Sequence, residues 1–173
     1  AQPYLPPFLP SFEDTFGCRV ALLRTTRRGR LSLGSSDPRA PARISLNFLG
    51  VEDDLKAIRA GMRMAVDVGR QQPIAPFVGA EMTALKTDAE IDAHVRATGI
   101  TVYHPIGTCR MGSDSDSVVD PECRVRGVEA LRVVDASVMP DLIGGNINAV
   151  VIMIAEKAAD MIRGRPALAP SNA

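Results

Sequence analysis

The chain has 173 residues, of which 46% are hydrophobic, and this is enough apolar material for a folded core. It carries 20 basic and 20 acidic residues, no net charge and no block of like charge, which excludes the electrostatic footprint of a nucleic-acid binder. The longest apolar run, residues 149–155, is much shorter than a membrane-spanning helix. We therefore expect a soluble protein that does not bind nucleic acid.

The cysteines and histidines indicate a reducing compartment and no metal site. Cys18, Cys109 and Cys123 are odd in number and form no C-x-x-C pair, which favours neither a disulfide framework nor a zinc site. The only histidines, His94 and His104, fall on different predicted elements. These patterns predict a cytoplasmic protein without a bound metal.

The first part of the chain predicts a covering segment followed by strands. Residues 1–19 open with a proline-rich stretch typical of an extended linker or covering segment. Residues 20–26, 31–33 and 44–48 are apolar or alternate between apolar and polar positions, as short strands do. Three such runs in succession predict an antiparallel sheet.

Two helices follow in the pattern. Residues 52–69 have apolar side chains at helical spacing and an acidic first turn, so this helix should lie on the sheet. Thr87-Asp88-Ala89-Glu90 is a capping box that starts a second helix, which Gly99 should end. His94 is predicted to be a surface residue of that helix, and residues 72–86 to be a loop that covers part of the molecule.

A histidine sits at the start of a glycine-punctuated loop, residues 104–112. A short strand is predicted to lead into it over residues 100–103. Pro105 biases His104 toward extended geometry, and Gly107 and Gly112 permit sharp turns. His104 is therefore held in place, either as a structural residue or as a catalytic base.

The last third ends in an apolar helix. Residues 124–127 and 131–134 are predicted to be short strands, and residues 113–117 a polar turn between the histidine loop and these strands. The helix that begins at Asn148 is apolar on all sides over its first two turns, which predicts a buried start. Its free N–H groups favour an electron-rich ligand, although Asn146 or Asn148 could simply cap the helix. Asp135 is either a partner for a sugar hydroxyl or a turn residue.

Three sequence motifs, given below in chain order, together resemble the carboxy-terminal part of the glucose-methanol-choline (GMC) oxidoreductases. Within that family the chain is most similar to the choline-dehydrogenase-like alcohol dehydrogenases. The resemblance runs from about Val20 to Arg163. The motifs are Tyr103-His104-Pro105-Ile106-Gly107-Thr108-Cys109-Arg110-Met111-Gly112, Val134-Asp135-Ala136-Ser137-Val138-Met139-Pro140 and Gly144-Gly145-Asn146-Ile147-Asn148-Ala149.

The resemblance implies an α+β fold. It assigns residues 20–130 to an antiparallel sheet covered by helices, the substrate-binding domain. Residues 131–165 are a final strand and helix that return to the FAD-binding domain, and residues 166–173 are a tail.

The resemblance also implies a reaction and a site. FAD takes a hydride from the CH–OH carbon of a small alcohol, His104 is the catalytic base, and Asn146 is its partner on the substrate oxygen. Asp135 and Ala136 match a strand end that contacts FAD. Asn148 and Ala149 match the helix start beside the flavin's pyrimidine edge, and Cys109 is a packing residue.

One family feature is absent, because no G-x-G-x-x-G turn occurs in the 173 residues. An amino-terminal FAD-binding domain is therefore an expected partner, without which the chain should be inactive and lack FAD. Its uncovered apolar surface should then either cause self-association or leave the carboxy-terminal elements mobile. The alternatives are a non-catalytic binding or structural module and a flavin-dependent lyase. The electron acceptor, oxygen or a membrane quinone, stays open, and with it the alternative that the expected cytoplasmic protein associates with a membrane through that acceptor.

Overall fold

The computed structural model describes residues 18–78, 85–166 and residue 169. The chain divides into two compact units, a first unit of residues 1–28 and 47–102 and a second unit of residues 29–46 and 103–173. The predicted covering segment lies outside the described residues except at residues 18 and 19. The same holds for residues 79–84 of the predicted loop and for most of the predicted tail.

In the first unit, helix α1 spans Glu52–Gly69, as the periodicity predicts. Its buried stripe includes Leu55, Ile58 and Val66, each less than one-tenth exposed. Asp54 is buried too. The hydroxyl of Thr25 donates a hydrogen bond to its carboxylate, which satisfies this buried polar group. This contact fixes the segment before the first strand on the start of α1.

Helix α2 spans Asp88–Thr98 and begins with the predicted capping box. The N–H of Glu90 donates to Thr87 Oγ1 at 3.2 Å, and the N–H of Thr87 donates to Glu90 Oε2 at 2.7 Å. The bond from the N–H of Thr87 to the charged carboxylate lowers the pKa of Glu90. Ile91 is buried and Gly99 is the C-cap, so this prediction is confirmed.

An ion pair connects α1 to α2. Arg59 donates through Nε to Asp92 Oδ1 at 2.8 Å and through Nη2 to Oδ2 at 2.7 Å. Both side chains are about five-sixths buried, at 16% and 15% exposed. The guanidinium lowers the pKa of Asp92, because a bidentate bond favours the charged carboxylate.

This pair predicts a loss of stability in acid. Since the pKa of Asp92 is lower in the folded than in the unfolded state, its contribution is present above the unfolded value of about 4 and is lost as pH falls through the folded value. Between about pH 6 and pH 3, the melting temperature should fall more for the wild type than for Asp92→Asn. Thermal unfolding scans measure this, with Asp53→Asn, an exposed helix-surface substitution, as the control. Equal pH dependence of wild type and Asp92→Asn would contradict it.

The second unit contains a hairpin and a helix. Strand β1, Arg30–Ser32, pairs antiparallel with β2, Arg43–Ser45, and Leu31 lies opposite Ile44. Helix α3 spans Asn148–Ile162 and begins where the sequence predicts. The mixed α+β class is therefore confirmed.

The predicted third strand of the antiparallel sheet is wrong, because the sheet among the described residues has two strands. Residues 20–26 form no strand, because Thr25 and Thr26 bond to Asp54 on α1 and not to a neighbouring strand. All six residues of β1 and β2 are exposed. A strand needs a partner, and an apolar run does not supply one.

The other predicted strands are also absent from the part of the chain that the structure describes. Residues 100–103 are irregular, and Tyr103 has a left-handed φ of 60°, which an extended strand excludes. Residues 124–127 and 131–134 make only isolated bridges, such as Arg124 with Arg132. Left-handed residues at Gly127 and Ala130 turn the chain between them too tightly for a longer ladder.

The core of the second unit includes Val119, Cys123 and Val138, which are almost completely buried. Burial raises the pKa of the Cys123 thiol. The start of α3 is not buried, which corrects the prediction, since Ile152 and Met153 are each 54% exposed. No helix among the described residues is long and apolar enough to cross a membrane.

Candidate active site

The histidine loop, residues 104–112, is shaped by a turn at Gly107. The N–H of Arg110 donates to the carbonyl of Gly107 at 3.2 Å. Gly107 has a φ of 87°, a conformation that glycine adopts without steric cost. The turn therefore requires the glycine that the sequence places there.

The segment after Asp135 holds this loop. Residues Ala136–Val138 form one 3-10 turn, and Val138 within it is fully buried. The carbonyls of Ser137 and Val138 accept the N–H groups of Cys109 at 3.0 Å and Met111 at 2.9 Å. The histidine loop is thus tied to a buried turn that lies well downstream in the sequence.

His104 and Asn146 meet in the second unit, although they are 42 residues apart in sequence. The distance from His104 Nε2 to Asn146 Oδ1 is 3.3 Å. The N-cap of α3 is Ile147 and no side chain caps the helix, so Asn146 contacts the imidazole instead of capping. The imidazole is half-buried and Asn146 is exposed, which leaves the pair open to a ligand.

This pair can receive a hydroxyl group. Two polar atoms 3.3 Å apart leave room for one oxygen within hydrogen-bonding distance of both. A neutral imidazole nitrogen accepts a proton, and the amide nitrogen of asparagine donates one, with the amide orientation set by the ligand. In the structure Oδ1 is the Asn146 atom that faces the imidazole. If the amide turned to present Nδ2, the pair would combine a proton acceptor with a donor to the same oxygen.

Asp135 caps the 3-10 turn, because its Oδ1 accepts the N–H of Ser137 at 2.7 Å. The structure therefore shows the turn role that the sequence left open for this residue. Among the described residues no donor contacts Oδ2, and the side chain is exposed. Oδ2 is available to a sugar hydroxyl, and the half-buried Ala136 follows it as the first residue of the turn.

Asn148 and Ala149 are the first residues of α3, and both are exposed. Val151 donates its N–H to the carbonyl of Ile147 at 2.9 Å. The N–H groups of the helical residues before Val151 have no partner within the helix. Together with the helix dipole they favour a partly negative group. An exposed helix start without a side-chain cap and a carboxylate with an available oxygen fit the polar edges of FAD.

Polar contacts that the sequence does not predict fix the far end of the histidine loop. Arg110 forms a bidentate ion pair with Asp114, at 2.9 and 2.7 Å, and this guanidinium lowers the pKa of Asp114. Arg126 donates to the carbonyl of Gly112, 14 residues earlier in the chain. The polar turn at residues 113–117 is confirmed, but no local pattern marks Arg126.

Other candidate groups lie elsewhere. His94 is on α2 in the first unit, and Cys109 is half-buried in the histidine loop. Within the described ranges no group of three or more His, Cys, Asp or Glu residues is arranged to hold a metal ion.

The class of protein to which this chain belongs follows from its similarity to known proteins. The family model described as GMC oxidoreductase matches residues 25–155. The chain belongs to the GMC oxidoreductases, an FAD-dependent family, as a carboxy-terminal domain. The resemblance drawn from the three motifs is confirmed.

Individual relatives place the chain within that family. It is 45% identical over 165 residues to mitochondrial choline dehydrogenase from Homo sapiens, covering 92% of this chain and 28% of that protein. The crystal structure of pyridoxine 4-oxidase from Mesorbium loti matches with a TM-score of 0.73 and 30% identity, over 84% of this chain and 29% of that one. The structure of a mutant formate oxidase from Aspergillus oryzae, solved to study FAD modification, matches with a TM-score of 0.75 and 33% identity, over 81% of this chain and 25% of that one. The chain therefore spans less than a third of the length of these proteins.

Proposed function

We propose that this chain supplies the substrate side of an FAD-dependent enzyme that oxidises the CH–OH group of a small alcohol, as its similarity to choline dehydrogenase suggests. The observation that carries the proposal is the contact between His104 Nε2 and Asn146 Oδ1 at 3.3 Å. This contact supports the proposal because it joins two motifs that are far apart in sequence. An amide turned to present Nδ2 would let one hydroxyl meet an acceptor on His104 and a donor on Asn146.

In the proposed reaction His104 accepts the hydroxyl proton at Nε2 while the carbonyl bond forms. Asn146 turns its amide so that Nδ2 donates to the same oxygen, which fixes the alcohol relative to the imidazole. When bound, FAD supplies the acceptor for the hydride that leaves the alcohol carbon. A positioned general base of this kind contributes roughly 10²–10⁴-fold to the rate.

The residues of this chain that would hold FAD are Asp135, Ala136, Asn148 and Ala149. Asp135 offers a carboxylate oxygen to a sugar hydroxyl, and the start of α3 offers N–H groups to the flavin's pyrimidine edge. The partner in this proposal is an amino-terminal FAD-binding domain, which contributes the loop for the pyrophosphate.

The test of the proposed function is the colour of the flavin. The intact enzyme, mixed without oxygen with choline and a panel of other small alcohols, should lose its yellow absorbance as the alcohol is oxidised. A lyase retains oxidised flavin after turnover, and a non-catalytic module does not respond at all. Either of those outcomes would overturn the proposal.

Asn146→Ala in the intact enzyme should be a weaker lesion than loss of the base. It removes one hydrogen-bond donor and should cost about 1–3 kcal/mol of transition-state stabilisation, or roughly 5–150-fold in kcat/KM. Steady-state kinetics measure the change, with Asn146→His as the variant that restores a donor. If Asn146→Ala were harmless and Asn148→Ala abolished turnover, the roles of the two asparagines would be exchanged.

A further inference from the structure

The carbonyl of Gly112 is an anchor at the end of the histidine loop. It accepts a hydrogen bond from Nη2 of Arg126 at 2.8 Å. The hydroxyl of Ser117 lies 3.0 Å from it and shares its one proton with the carbonyl of Asp114, which is at 2.6 Å. The N–H of Gly112 donates to the carbonyl of Val119 at 3.1 Å, and Val119 is fully buried. The N–H and the carbonyl of Gly112 are therefore both bonded to residues downstream in the chain.

Arg126 uses its planar fork to make two of these connections. Its Nε donates to Ser117 Oγ at 2.9 Å while its Nη2 reaches Gly112, and Ser117 is only 4% exposed. Bonds from a guanidinium are charge-assisted, and the rigid fork fixes two acceptors at once. A lysine amine at this position is a point charge and cannot reproduce that geometry.

We call the bonds from Arg126 to Gly112 and Ser117 the clamp. The clamp acts on the same end of the histidine loop as the buried turn at residues 136–138. Met111, the neighbour of Gly112, donates its N–H to the carbonyl of Val138 at 2.9 Å. The carbonyl of Arg110 accepts the N–H of Val118 at 2.9 Å, and Val118 in turn accepts the N–H of Arg126 at 3.0 Å. Arg126 thus closes a ring of bonds around residues 110–118.

We propose that Arg126 is a positioning residue that clamps the histidine loop and thereby keeps His104 in place against Asn146. This inference rests on the proposed function of His104. Arg126 touches neither His104 nor Asn146 among its described hydrogen bonds, so its effect passes through Gly112 and the loop. Small displacements of a catalytic group lower the rate without changing its chemistry.

The first test compares Arg126→Gln with Arg124→Gln in the intact holoenzyme. Arg124 has the same charge on the same segment, but its guanidinium pairs with Asp120 and Glu122 and not with the histidine loop. For Arg126→Gln we expect kcat to fall about 10-fold with KM and FAD content unchanged, and Arg126→Lys to recover little of the loss. Arg124→Gln should retain wild-type kcat.

The second test is hydrogen exchange, which reads the clamp without using activity. Peptides that cover residues 104–112 should exchange faster in Arg126→Gln than in the wild type or Arg124→Gln. Unchanged exchange, unchanged kcat, or equal losses in both variants would overturn the proposal. Wild-type turnover by His104→Ala would instead overturn the proposed function, and with it the catalytic part of this inference, while exchange would still decide whether the clamp exists.

Discussion

Replacement of His104 by alanine in the intact enzyme is expected to lower kcat by at least about 10²-fold while FAD stays bound. The imidazole is the group that accepts the substrate proton in the proposed reaction, and its Nε2 faces Asn146 at 3.3 Å. No other histidine belongs to the second unit. The loss should therefore appear in kcat and kcat/KM together, with the flavin absorbance retained.

The matched control for this experiment is His94→Ala. His94 lies on α2 in the first unit, and the hydrogen bond from Thr98 goes to its backbone carbonyl and not to its ring. Its replacement should leave turnover near the wild-type value. Near-normal turnover by His104→Ala, or equal losses in the two variants, would contradict the assignment of His104 as the base.

Expressed alone, the 173-residue chain is expected to be colourless, to lack alcohol-oxidising activity and to self-associate. It contains no G-x-G-x-x-G turn for the FAD pyrophosphate. Ile152 and Met153, near the start of α3, are 54% exposed, and such apolar surface favours association in water. An absorbance spectrum, a titration with FAD and a sedimentation run measure the three properties.

The control is the same chain with Ile152→Gln and Met153→Gln. If the start of α3 is the associating surface, this variant should sediment as a smaller species than the wild-type chain. If association persisted unchanged, the chain would associate through a surface other than the start of α3. A yellow chain, or one that binds FAD at micromolar concentration as a compact monomer, would contradict the expectation for the cofactor.

Local patterns in the sequence were sufficient for the helices. The spacing of Leu55, Ile58 and Val66 predicted α1, and the capping box at Thr87 predicted the first residue of α2, because both signals arise within a few residues of the chain. The three motifs were also sufficient for the family, since a motif is recognised by the order of its residues. The candidate residues His104 and Asn146 came from those motifs, and their roles stay predictions.

Strand pairing, burial and the contacts of the site depended on residues distant in the chain. Residues 20–26 have a strand pattern but bond to α1. The start of α3 has an apolar pattern but is exposed, since such a pattern does not specify which residues cover it. The contact of His104 with Asn146 spans 42 residues, and the clamp of Arg126 on Gly112 spans 14. A side chain's sequence neighbours do not fix such partners, whereas the buried turn at Val138 and the ring of bonds around residues 110–118 do.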